Sequence, residues 1–224
     1  PRREDLFDKL AGAKAVSCLD MQAAYMQVGL SRHDQPLTAF TVPGVGEASG
    51  SWEWKVMPFG LANAPHAFMS LMQRLLGHLP FVAVMLDDIA VFSTDPSQHA
   101  EHLDTVLGIL EDNQLYCKLS KCHFNQTEIS WLGFIINLET GVRPCPKKIA
   151  AIKYWPTPTE VTHVRQFLGL CNYLRHHVRA YSQIAVPLTT LAGGSAPWCP
   201  GTWTPACQVA FDALKDALTS APCL

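Results

Sequence analysis

The feature that most constrains this chain is a pair of short apolar runs, residues 81–86 (Phe-Val-Ala-Val-Met-Leu) and 89–92 (Ile-Ala-Val-Phe), linked only by Asp87 and Asp88. Strand-like runs joined so tightly can pair only as antiparallel neighbours, because a parallel crossover needs a dozen or more residues. Two-residue hairpin turns favour Asn-Gly, Asp-Gly or Gly-X. Adjacent carboxylates are poor turn chemistry, and flanking apolar strands strengthen their repulsion by lowering the local dielectric. A divalent cation would relieve that strain and takes hard oxygen ligands of this kind. A solvent-exposed acidic turn accounts for the pair equally well.

The rest of the pattern is mixed. Residues 14–19 read as a strand ending at Asp20, and residues 37–42 and 52–57 as two more around a Gly-rich turn (Pro43-Gly44-Val45-Gly46). Residues 63–79 carry a helical stripe of Phe68, Leu71, Met72, Leu75 and Leu79. A helix starts at Asp95-Pro96 with Leu103, Val106, Leu107 and Leu110 inward. Residues 129–137 read as one strand, turning at Glu139-Thr140-Gly141. Beyond Pro144 and Pro146 the texture becomes helical, over 147–155, 159–178 and from Thr204-Pro205 onward. Taken alone, Asp20 is best read as a helix N-cap. If the strands at 14–19 and 81–86 are neighbours, Asp20 and Asp87 converge and could hold two metal ions about 4 Å apart.

Composition narrows the classes. With 48% apolar and 16% charged residues over 224 positions, the chain is neither disordered nor low-complexity. Its longest uninterrupted apolar stretch, residues 81–86, is too short to cross a bilayer, so no membrane partner is expected. Eight cysteines are too sparse for a disulfide scaffold, and Cys117, Cys122 and His123 lack zinc-knuckle spacing. The charge is split: residues 1–112 hold 7 basic and 14 acidic side chains, while residues 113–180 hold 9 basic and 3 acidic. An acidic half beside a basic stretch suits a cation site next to a polyanion site. The opening Pro-Arg-Arg-Glu-Asp has no apolar leader, and the chain reads as a piece of a longer protein.

Five motifs in order carry a family resemblance. Leu19-Asp20-Met-Gln-Ala-Ala-Tyr25 resembles polymerase motif A of reverse transcriptases, and Met57-Pro-Phe-Gly-Leu-Ala-Asn-Ala-Pro65 resembles motif B of gypsy-type LTR retrotransposons. Val84-Met85-Leu86-Asp87-Asp88 resembles motif C, the run from Leu115 to Cys122 motif D, and Trp131-Leu-Gly-Phe134 the primer grip. Trp155-Pro-Thr-Pro, Phe167-Leu-Gly-Leu and residues 211–224 are similar to the thumb and the start of the connection. Met85 stands where the family usually has Tyr, and Cys18 where it has a basic residue. The run from Met21 to Ala24 replaces a usually polar or Gly-containing one.

The resemblance implies an α+β fold, with a polymerase palm (an antiparallel sheet backed by helices) over residues 1–143 and a mainly helical thumb and start of the connection over 144–224. It implies an RNA-directed DNA polymerase that extends a primer 3′-hydroxyl from dNTPs on an RNA or DNA template. Asp20, Asp87 and Asp88 would be the catalytic carboxylates, holding two Mg²⁺ (or Mn²⁺) ions. Tyr25 would be the steric gate against a 2′-hydroxyl, with Phe59 and Gly60 beside the nascent base pair. Trp131 and Gly133 would grip the primer, and Lys118 or Lys121 would act as general acid to pyrophosphate. Tyr25 also reads as a core aromatic, and either lysine as a surface charge. Fingers upstream, RNase H and integrase downstream, and a cytoplasmic virus-like particle complete the expectation. Two other readings are a decayed relic that keeps the fold as a binding or structural module, and an unrelated metal-dependent phosphotransferase.

Overall fold

The computed structural model describes residues 3–44, 49–194 and 198–220, which divide into two compact units, Pro1–Leu132 and Gly133–Leu224.

In the first unit, helix α1 (Arg3–Lys9) precedes β1 (Ala15–Asp20). A short hairpin, β2 (Phe40–Val42) and β3 (Gly50–Trp52), leads to α2 (Ala64–Leu76). Then come β4 (Val82–Met85), β5 (Asp88–Ser93), α3 (His99–Asp112), β6 (His123–Gln126) and β7 (Glu128–Trp131). The central sheet has the order β4-β5-β1-β6, antiparallel throughout. β1 is its heart: Ala15 to Leu19 are all buried, as expected of a strand with neighbours on both edges. Phe68, Met72 and Leu76 project from α2 at i, i+4 spacing, and with Val106 and Leu110 of α3 they bury Leu19, Val82, Val84, Ile89 and Val91. Leu107, expected inward, is 39% exposed.

A polar chain crosses this apolar layer. The Asn125 N–H donates to Ser17 Oγ (2.9 Å), which lies 2.7 Å from His99 Nε2. His99 Nδ1 is 2.8 Å from Ser93 Oγ, itself 2.7 Å from His102 Nδ1. His102 stacks on Phe81, centroids 3.9 Å apart. β1, β5, β6 and α3 are thereby tied at fixed register, with the polar groups satisfied where burial would otherwise penalise them.

The expected strands at 37–42 and 52–57 are shorter than predicted. Pro36 starts a 3₁₀ turn over Gln35–Thr38, which leaves Leu37 81% exposed. Val56 pairs with Gly29 instead, flanked by the bonds Leu30 N–H to Lys55 C=O and Met57 N–H to Val28 C=O, each 2.9 Å. Val45 and Gly46 of the expected turn lie outside the described residues.

The second unit holds β8 (Phe134–Asn137), β9 (Gly141–Pro144), α4 (Pro146–Lys153), α5 (Val161–Tyr173), α6 (Tyr181–Gly193) and α7 (Pro205–Thr219). Asn137 Oδ1 accepts the Glu139 and Thr140 N–H groups, both at 2.9 Å, and sets the turn between β8 and β9. The helices close on Ile152, Val164, Phe167, Leu188, Phe211 and Leu214, with the Phe167 and Phe211 rings 4.5 Å apart. Thr204 caps α7 by accepting the Cys207 N–H. The single strand expected over 129–137 is broken between β7 and β8. Leu132 (φ 48°) and Gly133 (φ 70°) form a tight turn there. The helix expected over 159–178 stops at Tyr173, and Arg175–His177 continues as a 3₁₀ turn.

Candidate active site

Asp20 ends β1 and Asp88 opens β5, and the two are register partners on adjacent strands. Asp88 also lies opposite Met85 of β4, so the turn is Leu86-Asp87, one residue earlier than the pattern suggested. The shift follows from the ladder, because Asp88 is paired on both sides and cannot also be a turn residue. Leu86 bears the cost, with φ at 57° in the left-handed region that bulky side chains avoid. Asp87 accepts the Met21 N–H through its carbonyl (3.3 Å), which brings the turn alongside the end of β1. The sheet therefore gathers Asp20, Asp87 and Asp88 at one end.

Lys121 reaches into this end. Its ammonium donates to both carboxylate oxygens of Asp20, each at 3.1 Å. Lys118 contributes only its backbone here, an N–H to the Asp20 carbonyl at 2.8 Å. Asp20, Asp88, Lys121, Ser120, His123, Ser130 and Trp131 line a cleft of about 380 Å³ within the first unit. Burial, then the charges of Asp87 and Asp20, push the Asp88 carboxyl up to about 6, and Lys121 partly opposes them. Cys18, where a basic residue was anticipated, is buried, and its thiol is pushed up to about 12 by burial, with the Asp88 charge adding. Ser120 and Ser130 carry no sequence signal, and His123 stands out there only as a candidate zinc ligand; exposed polar residues on a short edge strand and its flanks show no periodicity.

Tyr25 lies in a 3₁₀ turn (Ala24–Gln27) just after β1, braced edge-on between Phe59 and Phe68, both centroids at 5.7 Å. Phe59 is 65% exposed. Gly60 has φ at 94°, which favours glycine, and open space where a Cβ would stand. Phe59 and Gly60 line a second hollow with Met26, Thr38, Trp54 and Leu61, separate from the aspartate cleft. Trp131 is 2% exposed and packs edge-on to Phe7 at 6.1 Å, its indole Nε1 without a hydrogen-bond partner among the described residues. In the second unit, Gly133 leaves no room for a Cβ, which would collide with the Lys148 ammonium and lie 2.8 Å from the Tyr173 hydroxyl. Lys148 Nζ sits 3.3 Å from the centroid of the Tyr173 ring.

The family model described as reverse transcriptase (RNA-dependent DNA polymerase) matches residues 2–136, which include β1, the Leu86-Asp87 turn and all three aspartates. The chain belongs to the reverse transcriptase family. The Tf2-3 transposon polyprotein of Schizosaccharomyces pombe is 32% identical to it over 226 residues, covering 100% of this chain and 16% of the polyprotein. This reverse transcriptase chain thus spans about a sixth of the length of the curated relatives it matches. A foamy viral protease-reverse transcriptase in complex with ds DNA superposes with a TM-score of 0.84 at 24% identity, covering 100% of this chain and 38% of that one. A second structure of a foamy viral protease-reverse transcriptase, in complex with RNA/DNA hybrid, gives 0.82 at 25% identity, covering 98% and 29%. The fold is the α+β polymerase fold.

Hard carboxylate oxygens beside a carboxyl kept abnormally basic are a donor set suited to a divalent cation. Among the described residues, no three His, Cys, Asp or Glu side chains are already drawn together as a metal cage. Lys121 supplies a cationic contact on Asp20. Also among the described residues, no helix is long and apolar enough to cross a membrane.

Proposed function

We propose that this chain is the palm and thumb portion of an RNA-directed DNA polymerase from an LTR retrotransposon polyprotein of the gypsy type, extending a primer 3′-hydroxyl with dNTPs. The observation that carries the reading is the register pairing of Asp20 with Asp88 beside the Leu86-Asp87 turn, inside the stretch matched by the family. Asp20 and Asp87 hold divalent metal, Mg²⁺ or Mn²⁺, with Asp88 as the third carboxylate. Bound there, the metal supplies Lewis-acid activation of the primer hydroxyl and neutralises triphosphate charge.

The chain's own groups do the rest. Tyr25, braced by Phe59 and Phe68, is a stiff wall against a ribose 2′-hydroxyl, and stiffness is what steric exclusion of one oxygen requires. Gly60 and Phe59 border the nascent base pair, with open space at Gly60 for a close backbone approach. Trp131 and Gly133 hold the primer end. Lys121, the lysine whose ammonium already reaches the site, is a better candidate than Lys118 for protonating pyrophosphate. The basic stretch 113–180 follows the duplex through its phosphates, without reading bases. The duplexes bound in the two foamy viral structures support nucleic acid as partner, and the length of the Tf2 relatives supports further polyprotein segments, with fingers, RNase H and integrase beyond this chain. A cytoplasmic virus-like particle is the setting that suits this reading.

Primer extension on an RNA template, by this chain carried within its reading frame, tests the proposal. Mg²⁺-dependent dNTP incorporation is expected, falling at least about a thousandfold in Asp87→Asn. Incorporation that survives the substitution would remove Asp87 from the site.

A further inference from the structure

Lys121 is more than a lysine near the site, because its ammonium contacts both oxygens of Asp20 at 3.1 Å. A carboxylate engaged in this way offers its favoured directions to the ammonium, and a divalent cation approaching the same oxygens would meet a like charge. The lysine is also built to move. It ends the 3₁₀ turn Leu119–Lys121, its side chain is 57% exposed, and its own N–H bonds only to the Lys118 carbonyl next door at 2.8 Å. The ends of that segment are fixed to β1 independently of the ammonium, through the Met21–Cys117 bridge and the Cys18–His123 pairing. The side chain can therefore leave while the segment stays attached.

Resting on the metal-bound reading above, we propose that Lys121 is a resident counter-ion of Asp20 that a divalent metal must displace, so that metal occupancy and the position of Lys121 are mutually exclusive. In the metal-free protein Lys121 is paired with Asp20; on metal binding the ammonium swings into the cleft it lines with Ser120 and His123. Lys121 is thus a positioning residue acting through Asp20.

Titration of the chain with Mn²⁺, reading free Mn²⁺ by its EPR signal, tests the exchange. An exposed ion pair is weak, so removing the competitor in Lys121→Met should tighten the Mn²⁺ Kd about two- to fivefold. Lys121→Arg, which keeps the charge, should restore the parent affinity, and Lys121→Met should have no effect in an Asp20→Asn background. A measurable parent Kd left unchanged by Lys121→Met would overturn the exchange and leave the metal site standing. Failure of both parent and variant to bind Mn²⁺ would overturn the metal site and the exchange together.

Discussion

Two tight turns, Leu86-Asp87 and Leu132-Gly133, use the same leucine in opposite causes. Each leucine is forced into left-handed backbone, at φ 57° and 48°. At the second turn a glycine follows, itself at φ 70°, and a neighbouring lysine and tyrosine close over its Cα. Turn chemistry and packing agree there, and the leucine's strain is shared with a residue suited to the bend. At the first turn the follower is an aspartate beside a second aspartate, and no glycine relieves either leucine or charge. Strain that local chemistry does not compensate marks a position kept for something other than stability.

Substitutions at the two turns should separate these cases. Gly133→Ala is the most damaging, because it adds a Cβ against the Tyr173 hydroxyl at a φ that disfavours it. A loss of about 1–3 kcal/mol is expected in urea unfolding. Tyr173→Phe in that background should return part of it by removing the oxygen; no recovery would mean that φ alone sets the cost.

The acidic turn should respond to pH instead. In the folded metal-free chain the Asp88 carboxyl is raised to about 6, against an ordinary 3.8. The folded state therefore holds this proton more tightly than the unfolded one. Its stabilising contribution is complete below pH 3.8 and lost as pH climbs through 6. Asp88→Asn should accordingly be more stable than the parent at pH 7 by about 1 kcal/mol, after discounting for solvent screening. The advantage should shrink toward zero near pH 4. Urea midpoints at both pH values measure it, and an advantage that ignores pH would show that Asp88 ionises normally.

The smallest effect belongs to Leu86→Gly. Relief of the left-handed penalty, about 1–2 kcal/mol, is offset by the extra chain entropy of glycine, about 0.5–1 kcal/mol, and by lost contacts of a half-buried side chain. The net change should lie within about 0.5 kcal/mol in the same assay. A loss of about 2 kcal/mol or more would make Leu86 a packing residue, at the low end of large-to-small core substitutions.

What the sequence made legible follows the same division. α2 and α7 announce themselves by apolar spacing and a proline at their starts, α3 by apolar spacing after a 3₁₀ turn that Pro96 opens, and β4 with β5 by apolar runs. α6 went unread because Pro187 lies inside it and Ala180 precedes it at φ 56° without a side-chain cap. The break between β7 and β8 was hidden because leucine is an unlikely turn residue, so Trp-Leu-Gly-Phe reads as continuous strand. The aspartates stood out because they violate turn chemistry, whereas the cleft residues Ser120, His123 and Ser130 obey every local rule. Tyr25 and Lys121 needed the family motifs; either fits an ordinary core or surface role by itself.

The buried chain from Asn125 to His102 has a direction. The Asn125 N–H can only give, so Ser17 receives there and, with His99 as its Nδ1–H tautomer, passes its own proton to His99 Nε2. His99 then gives from Nδ1 to Ser93, and Ser93 gives to His102. Run the other way, the Ser17 proton has no taker among these groups. Like a row of compass needles, the links point one way together when every hydroxyl proton is used. Burial, then the nearby His102, holds His99 below the ordinary 6.5 of histidine. That share of stability is present above pH 6.5 and fades as pH falls below it. Behind the acidic end of the sheet, the same strands β1 and β5 thus carry a second proton ledger with the opposite sign: acid relieves Asp88 and penalises His99.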